Sequence, residues 1–425
     1  MNNNILNIIT ISSIVTLWGL LVQSASAIPL DMELERAWGP LKPKETLSVV
    51  IRPLKGNIKD AAELMQYDYT ATEIKKALDE SGCWADVWIM PHEPELYDLL
   101  LEFEIHRNDG KTFDLTAKLT SSTGSEIGWP GNGGRSPLRV TFHPEDRHFQ
   151  DLNAMIDPMR PAFNRIANEM NALRKQAAAS ETKILEKLKK IRMLRHAATY
   201  YPLYKDFLTK ENGSFSMHGM PPRNEIWRAT QEIAEKERQF YDLTTDEFIR
   251  HHDTVFLAYF NYRKAMRIAT MRLHEAQNKL NELNNQKQQI QQKEKERQNL
   301  ETVIAIATLF GAQEKVKELN IIVAVLREMH ASQRELKQAY DRTLIDARNK
   351  EKEVQLLLNE LQKQDKTIRT QVETVQVYIE GKQVQLKGDL KEQTTQLKRE
   401  LKQIYIEELG LDESQAPSGE KDREE

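Results

Sequence analysis

The sequence predicts an α+β protein: a small mixed α/β head, a long antiparallel helical hairpin of coiled-coil type, and a C-terminal β-hairpin plus helix. Three observations predict it. Between about Thr46 and Gly134, short apolar runs alternate with turn residues around one amphipathic segment. From Phe248 onward, apolar residues recur in steps of four and three, the repeat of helices packed along a seam. The chain holds 17 Gly and 15 Pro against 29% charged residues, a balance that suits long helices. Formal net charge is −4, with both signs interleaved, so there is no basic field to recruit nucleic acid. Cys83 is the single cysteine. It cannot form an internal disulfide and is expected as a small buried residue.

Residues 1–27 differ from the rest. Ile5 to Val22 is largely apolar and carries no charge, and Ala25-Ser26-Ala27 then precedes Ile28-Pro29. That order reads as a cleaved signal peptide and places the protein in the periplasm. The first four residues carry no Lys or Arg, so an uncleaved inner-membrane anchor is the alternative. No cysteine lies near the cleavage site, so a lipid anchor is not expected.

In the head, residues 46–134, Leu47 to Ile51 reads as a buried strand. Thr70 to Ser81 reads as a helix with Ile74, Ala77 and Leu78 on one face, stopped by Gly82. Asp86 to Ile89 and Tyr97 to His106 follow as strands. Asn108-Asp109-Gly110 is a hairpin turn, because Asp-Gly tolerates positive φ. Lys111 to Ser121 returns, and a short strand ends at Trp129. Arg52-Pro53-Leu54, Ala71-Thr72-Glu73-Ile74 with Ala77 to Gly82, and Tyr97 to Glu102 together resemble an envelope module. It is the small α/β domain of the curli secretion-channel lipoprotein and the amino-terminal domain of TolB. The resemblance implies a head that binds other proteins rather than a catalytic one. Phe163 to Glu169, Ile226-Trp227 and Glu380 to Gly388 are similar to stretches of an uncharacterised family of proteobacterial envelope proteins. Members of that family often carry a lipobox cysteine and a glycine-rich apolar segment after the long helix; this chain has neither.

The segment Gly128 to Pro137 is dense in turn formers and is expected to close the head. Residues 149–245 are read as helical with a loop. Pro158 and Pro161 break the first helix. Glu181 to Tyr200 forms a second, with Ile184, Leu188, Ile191 and Leu194 on its apolar stripe, and Tyr201 to Arg223 forms the loop. Residues 246–370 are read as the hairpin. Its first seam runs through His252, Val255, Tyr259, Leu273, Ala276, Leu280, Leu283, Lys287 and Ile290. Gly311 is the expected turning point. The second seam takes Leu336, Tyr340 and Leu344 in two successive fours, a stutter that relaxes supercoiling. Residues 372–409 form a β-hairpin and helix that faintly resemble half of a BON domain. Residues 410–425 form a polar, disordered tail.

Candidates for chemistry are sparse. His274-Glu275 lacks a second His at Asn278, where a zinc-protease helix would place it. Glu247 and His251 stand four apart, not the three of di-iron bundles. His251-His252-Asp253 reads as one seam residue between two solvent-facing neighbours, with a metal site as the alternative. His143, Glu145, Asp146 and His148 read as a solvated loop, with a surface zinc site as the alternative. Asn212-Gly213-Ser214 fits the glycosylation sequon. No catalytic residue, cofactor or metal is therefore expected. The interaction candidates are Val303, Ile304, Leu309, Phe310, Ile321 and Ile322, since these two apolar stretches are too short to span a bilayer and cover more than one helical face.

The expected function is that of an exported, non-enzymatic structural or assembly factor with envelope-protein partners and a possible homo-oligomer. One alternative is a membrane-active protein whose 303–326 tip makes peripheral contact with lipid. Another is a metal-dependent hydrolase. If residues 1–27 are cleaved, amino-terminal sequencing of envelope-derived protein will read from Ile28. Retention of Met1 will instead establish the anchor.

Overall fold

The computed structural model describes residues 28–29, 31–42, 45–54, 61–92, 94–149, 156–180, 182–222, 225–307, 313–371, 374–379, 382–388 and 390–409. The expected signal peptide, the turning point at Gly311 and the tail lie outside them. The architecture is mixed α/β, with a mixed sheet and very long helices. The chain divides into two units. The first draws on residues 1–108, 112–257 and 361–425, the second on 109–111 and 258–360.

The first unit is built on a sheet of β1 (Val49–Pro53), β2 (Val87–Ile89), β3 (Leu99–Asn108), β4 (Phe113–Ser121), β5 (Glu126–Ile127) and β6 (Leu138–Phe142). The order is β2-β1-β3-β4-β5, with β6 also on β4. β1 runs parallel to β2 and β3, while β4 is antiparallel to β3, β5 and β6. Val49, Val50 and Ile51 are all fully buried, as an uninterrupted apolar strand between two covered faces must be. The crossover helix α1 (Ala61–Ser81) begins nine residues before the expected Thr70, because Met65, Tyr67 and Tyr69 are also core. Cys83 is buried, as its composition suggests.

The Gly128 to Pro137 segment is a turn inside the sheet rather than a boundary. Trp129 is fully buried and bridges Arg135, and β6 then returns to β4. Helix α2 (Arg160–Ser180) starts beside Pro161, where a missing N–H costs nothing. It packs on α1 and β6. In α3 (Thr182–Tyr200) the buried residues include Leu185, Ile191, Leu194 and Ala197. Ile191 and Leu194 of the expected stripe are buried, while Ile184 faces solvent and Leu185 takes its place.

The expected loop from Tyr201 to Arg223 contains a β-hairpin, β7 (Leu208–Glu211) with β8 (Ser214–Met217). Its turn residues Asn212 and Gly213 both have positive φ, 49° and 80°, the pairing that two-residue hairpins select. Asn212-Gly213 is thus turn chemistry first. The hairpin, the end of α3 and Trp227 share a small core with Leu194, Ala197 and Tyr204.

Helix α4 spans Glu225–Ala307 and α5 spans Gln313–Gln371. The start of α4 lies twenty-one residues before the expected Asp246, so the 245/246 division falls inside one helix. Its early turns are core: Ile233, Ala234, Phe240 and Tyr241 cluster with Val50, Trp88, Tyr97 and Leu100 of the sheet. The expected C-terminal hairpin and helix are present as β9 (Thr374–Ile379), β10 (Lys382–Lys387) and α6 (Leu390–Leu409). Leu386, Leu397 and Leu401 complete that same core.

In the second unit, Gly110 has φ +77, and a Cβ there would meet the Arg267 backbone at 2.7 Å. Arg267 and Thr270 donate to the carbonyls of Gly110 and Asp109 at 3.2 Å each. Only glycine meets both demands.

Leu273, expected as a buried seam residue, is 60% exposed. Leu397→Ala is expected to cost about 2–5 kcal/mol by the usual penalty for truncating a packed leucine, while Leu273→Lys is expected within about 0.5 kcal/mol of wild type. Urea denaturation of the two variants measures the contrast.

Candidate interaction surface

Along α4, residues spaced by seven lose solvent together: Ala276, Leu283, Ile290, Arg297 and Ile304 are buried or half-buried. Between them lie Lys279, Gln286, Lys293 and Leu300, at the complementary three-residue step. Lys287, expected in the seam, is exposed and Gln286 takes its place. Along α5 the steps alternate three and four without a break from Leu319, Ile322, Leu326 and Met329 to Leu361. The expected stutter is absent there because Thr343 holds the position, and is more deeply buried than Leu344. Thr343 satisfies its hydroxyl by donating to the Ala339 carbonyl at 2.9 Å and accepting from Lys279 at 2.7 Å. Local satisfaction of this kind lets a polar residue sit in an apolar stripe.

Side chains join the two helices at three levels. Arg272 meets Asp346 at 3.0 Å, Lys279 meets Thr343, and Glu294 meets His330 at 3.7 Å. Numbers rise on α4 as they fall on α5.

The six interaction candidates divide. Ile304 and Ile322 are half-buried on the stripes. Val303 and Ile321 are 48% and 65% exposed, and Val325, one turn beyond Ile321, is exposed too. Leu309 and Phe310 lie outside the described residues. Val325 lies within the expected 303–326 tip, and its i, i+4 spacing from Ile321 places the two on a shared face.

Several buried ionic groups lie in the first unit. Glu73 of α1 and His252 of α4 are both almost fully buried, with Oε1 and Nε2 2.8 Å apart. Lys76 reaches Glu73 at 3.5 Å and Asp253 at 3.3 Å, and Tyr69 stacks on His252 at 4.4 Å. Burial pushes the Glu73 carboxyl up, but the His252 hydrogen bond and the charges of His252, Lys76 and Arg160 outweigh it and hold the group below its ordinary range. His251, expected to face water, is buried as well, while Asp253 is exposed. A second group joins Glu237 to His196 at 3.2 Å and accepts the Tyr200 hydroxyl. Burial raises Glu237, yet His196, Tyr200 and Lys398 together hold it low. Burial and the facing carboxylate push Tyr200 well up.

These groups are sealed among helices, and their partners account for their placement. His143, Glu145, Asp146 and His148 are not gathered around one point: His148 accepts the Glu145 amide at 2.9 Å, and His143 meets Thr112 at 3.3 Å. Among the described residues no group of three or more His, Cys, Asp or Glu is placed to hold a metal ion. None of the described helices is long and apolar enough to cross a membrane. No family model, curated protein or solved structure matches the chain.

A depressed carboxyl pKa contributes stability that is present above the unfolded value, near about 4.3 for Glu, and is lost as pH falls through the folded value. Glu73 and Glu237 therefore both make the first unit acid-sensitive below roughly pH 4. Glu73→Gln is expected to lower the melting temperature at pH 7 and to flatten its fall between pH 5 and pH 3. A parallel fall in variant and wild type will remove Glu73 from the acid response.

Proposed function

We propose that this chain is an exported, non-enzymatic envelope protein that works as a structural or assembly factor by binding other envelope proteins. The single observation that carries the reading is the exposure of Val303 and Ile321 beside Ile304 and Ile322, which the stripes cover. A helix pair buries one stripe on each helix. Apolar side chains left outside it in a group are a contact surface. The three α4–α5 contacts favour an antiparallel hairpin with the stripes facing, and the unbroken sevens of α5 favour coiled-coil packing. The apolar leader and its Ala25-Ser26-Ala27 site support export. The resemblance of the head to the protein-binding module of the curli lipoprotein and TolB supports the choice of partner class.

Burying both exposed side chains against a partner contributes on the order of 3 kcal/mol. The double variant Val303→Ser, Ile321→Ser is expected to keep its far-ultraviolet circular dichroism and to lose capture of envelope proteins or self-association in sedimentation. Flotation with vesicles separates the lipid alternative: loss of flotation with capture intact moves the surface to the membrane. If helicity, sedimentation, capture and flotation are all unchanged, the surface has no interaction role.

A further inference from the structure

An extended segment, residues 31–36, lies along α2 and is held almost entirely by its main chain. Asn164 donates its amide to the Met32 carbonyl at 2.8 Å. Asn168 donates to the Glu33 carbonyl at 2.9 Å and accepts the Glu35 N–H at 2.8 Å. Asn171 donates to the Glu35 carbonyl at 3.0 Å. The three asparagines stand at i, i+4 and i+7, one face of a helix, and read a strand without reading its side chains. No residue from 31 to 36 is buried. Met32 and Leu34 are half-buried, and the charged side chains add surface ion pairs: Asp31 with Arg147 at 3.1 Å and Glu35 with Lys175 at 2.7 Å, both cations belonging to the body, and Arg36 with Glu80 at 3.6 Å.

The fit is incomplete. Asn164 is 7% exposed and Asn171 0%, yet the Oδ1 atom of each has no hydrogen-bond partner among the described residues. A buried amide with a spare acceptor is under-used. An extended segment that offered further N–H groups would satisfy it better than the resident one does. The resident segment is also acidic at alternate positions, Asp31, Glu33 and Glu35, with Arg147 and Lys175 at its two ends.

We propose that this asparagine face of α2 is a docking site for an extended acidic peptide segment of a partner protein, and that residues 31–36 occupy it in cis until displaced. The recognition is of main chain plus alternating carboxylates, and it is separate from the α4–α5 surface. A tethered segment competes at an effective concentration on the order of 1 mM, so wild-type protein masks the site.

The test uses the full chain and a fluorescent synthetic peptide of residues 28–37, followed by anisotropy. Glu35→Pro removes both the N–H that Asn168 accepts and the carboxylate that Lys175 holds, and it lies on an exposed segment. The Glu35→Pro chain is expected to bind the peptide at least about tenfold more tightly than wild type, because the cis competitor is loosened. Adding Asn168→Ala, at a half-buried position, is expected to abolish that gain. A peptide with Asp31, Glu33 and Glu35 replaced by Ser is expected to bind severalfold more weakly. In wild type, the Glu35 amide is expected to exchange slowly, and faster in Asn168→Ala. Absence of saturable binding to the Glu35→Pro chain overturns the proposal, as does binding indifferent to Asn168→Ala. Equal binding of the uncharged peptide overturns the acidic assignment.

Discussion

The first unit depends on one apolar contact, the packing of Val50, Trp88 and Leu100 of the sheet against Ile233, Phe240 and Tyr241 of α4 and Leu397 and Leu401 of α6. Neither the sheet nor these helices has another way to cover that face. A sheet of this size exposes too much apolar surface to stand alone. The helix that closes it continues, without interruption, into the second unit. The early turns of α4 therefore serve as core residues, while Arg272, Lys279 and Glu294 on its later turns meet side chains of α5. Trp88 shows how the contact is fixed in register. Its ring stands edge-on to Tyr241 at 5.6 Å, and its indole N–H donates to Asp242 at 2.7 Å.

Buried charge gives the same packing its specificity. Glu73 with His252 joins α1 to α4, Glu237 with His196 joins α4 to α3, and Asp98, just before β3, meets Arg192 of α3 at 3.0 Å. Asp98 also accepts the Ser48 amide at 2.9 Å, and burial still pushes its carboxyl above the ordinary range. Each of these pairs replaces solvation that burial has removed, and each fails if its helix rotates or slides by a turn. Apolar contacts alone tolerate such slippage better than a fixed pair of donors and acceptors does. The ion pairs within single turns of α4 and α5, such as Lys293 with Glu296 or Lys350 with Glu353, are local and screened, and contribute little.

Local signals made most of the elements legible. The alternation from Leu99 to Ser121, the Asp-Gly turn and the final hairpin with its helix are all short-range patterns, and they stand where the sequence places them. What the sequence concealed is long-range. Residues 225–245 show no clean seam because their apolar side chains face a sheet, not a single partner helix, and a sheet accepts a wider and less periodic stripe. Leu273 and Leu344 look like seam residues by hydrophobicity, but Ala276 and Thr343 hold the deeper positions. The choice is made by the phase of the whole helix, which a single apolar residue does not fix. Asn212-Gly213 was legible as a turn and was obscured by its second meaning as a sequon. Glu73, Glu237 and the three asparagines of α2 could not be singled out, since a buried polar residue is recognised by its partner and the partners in these pairs stand 37 to 179 positions away.

The core shared by Val50 and Leu401 has a consequence for how the molecule comes into being. A polypeptide emerges from its N-terminus, so the sheet is present in full long before the helix that covers it. Until α6 arrives, Val50, Trp88 and Leu100 lack part of their cover. The long helices between them rely on neighbours three and four residues away and form early, whereas the sheet must wait for the last stretch of chain. Completion of this fold is thus tied to completion of synthesis, and an interrupted chain carries an open apolar face that marks it for removal.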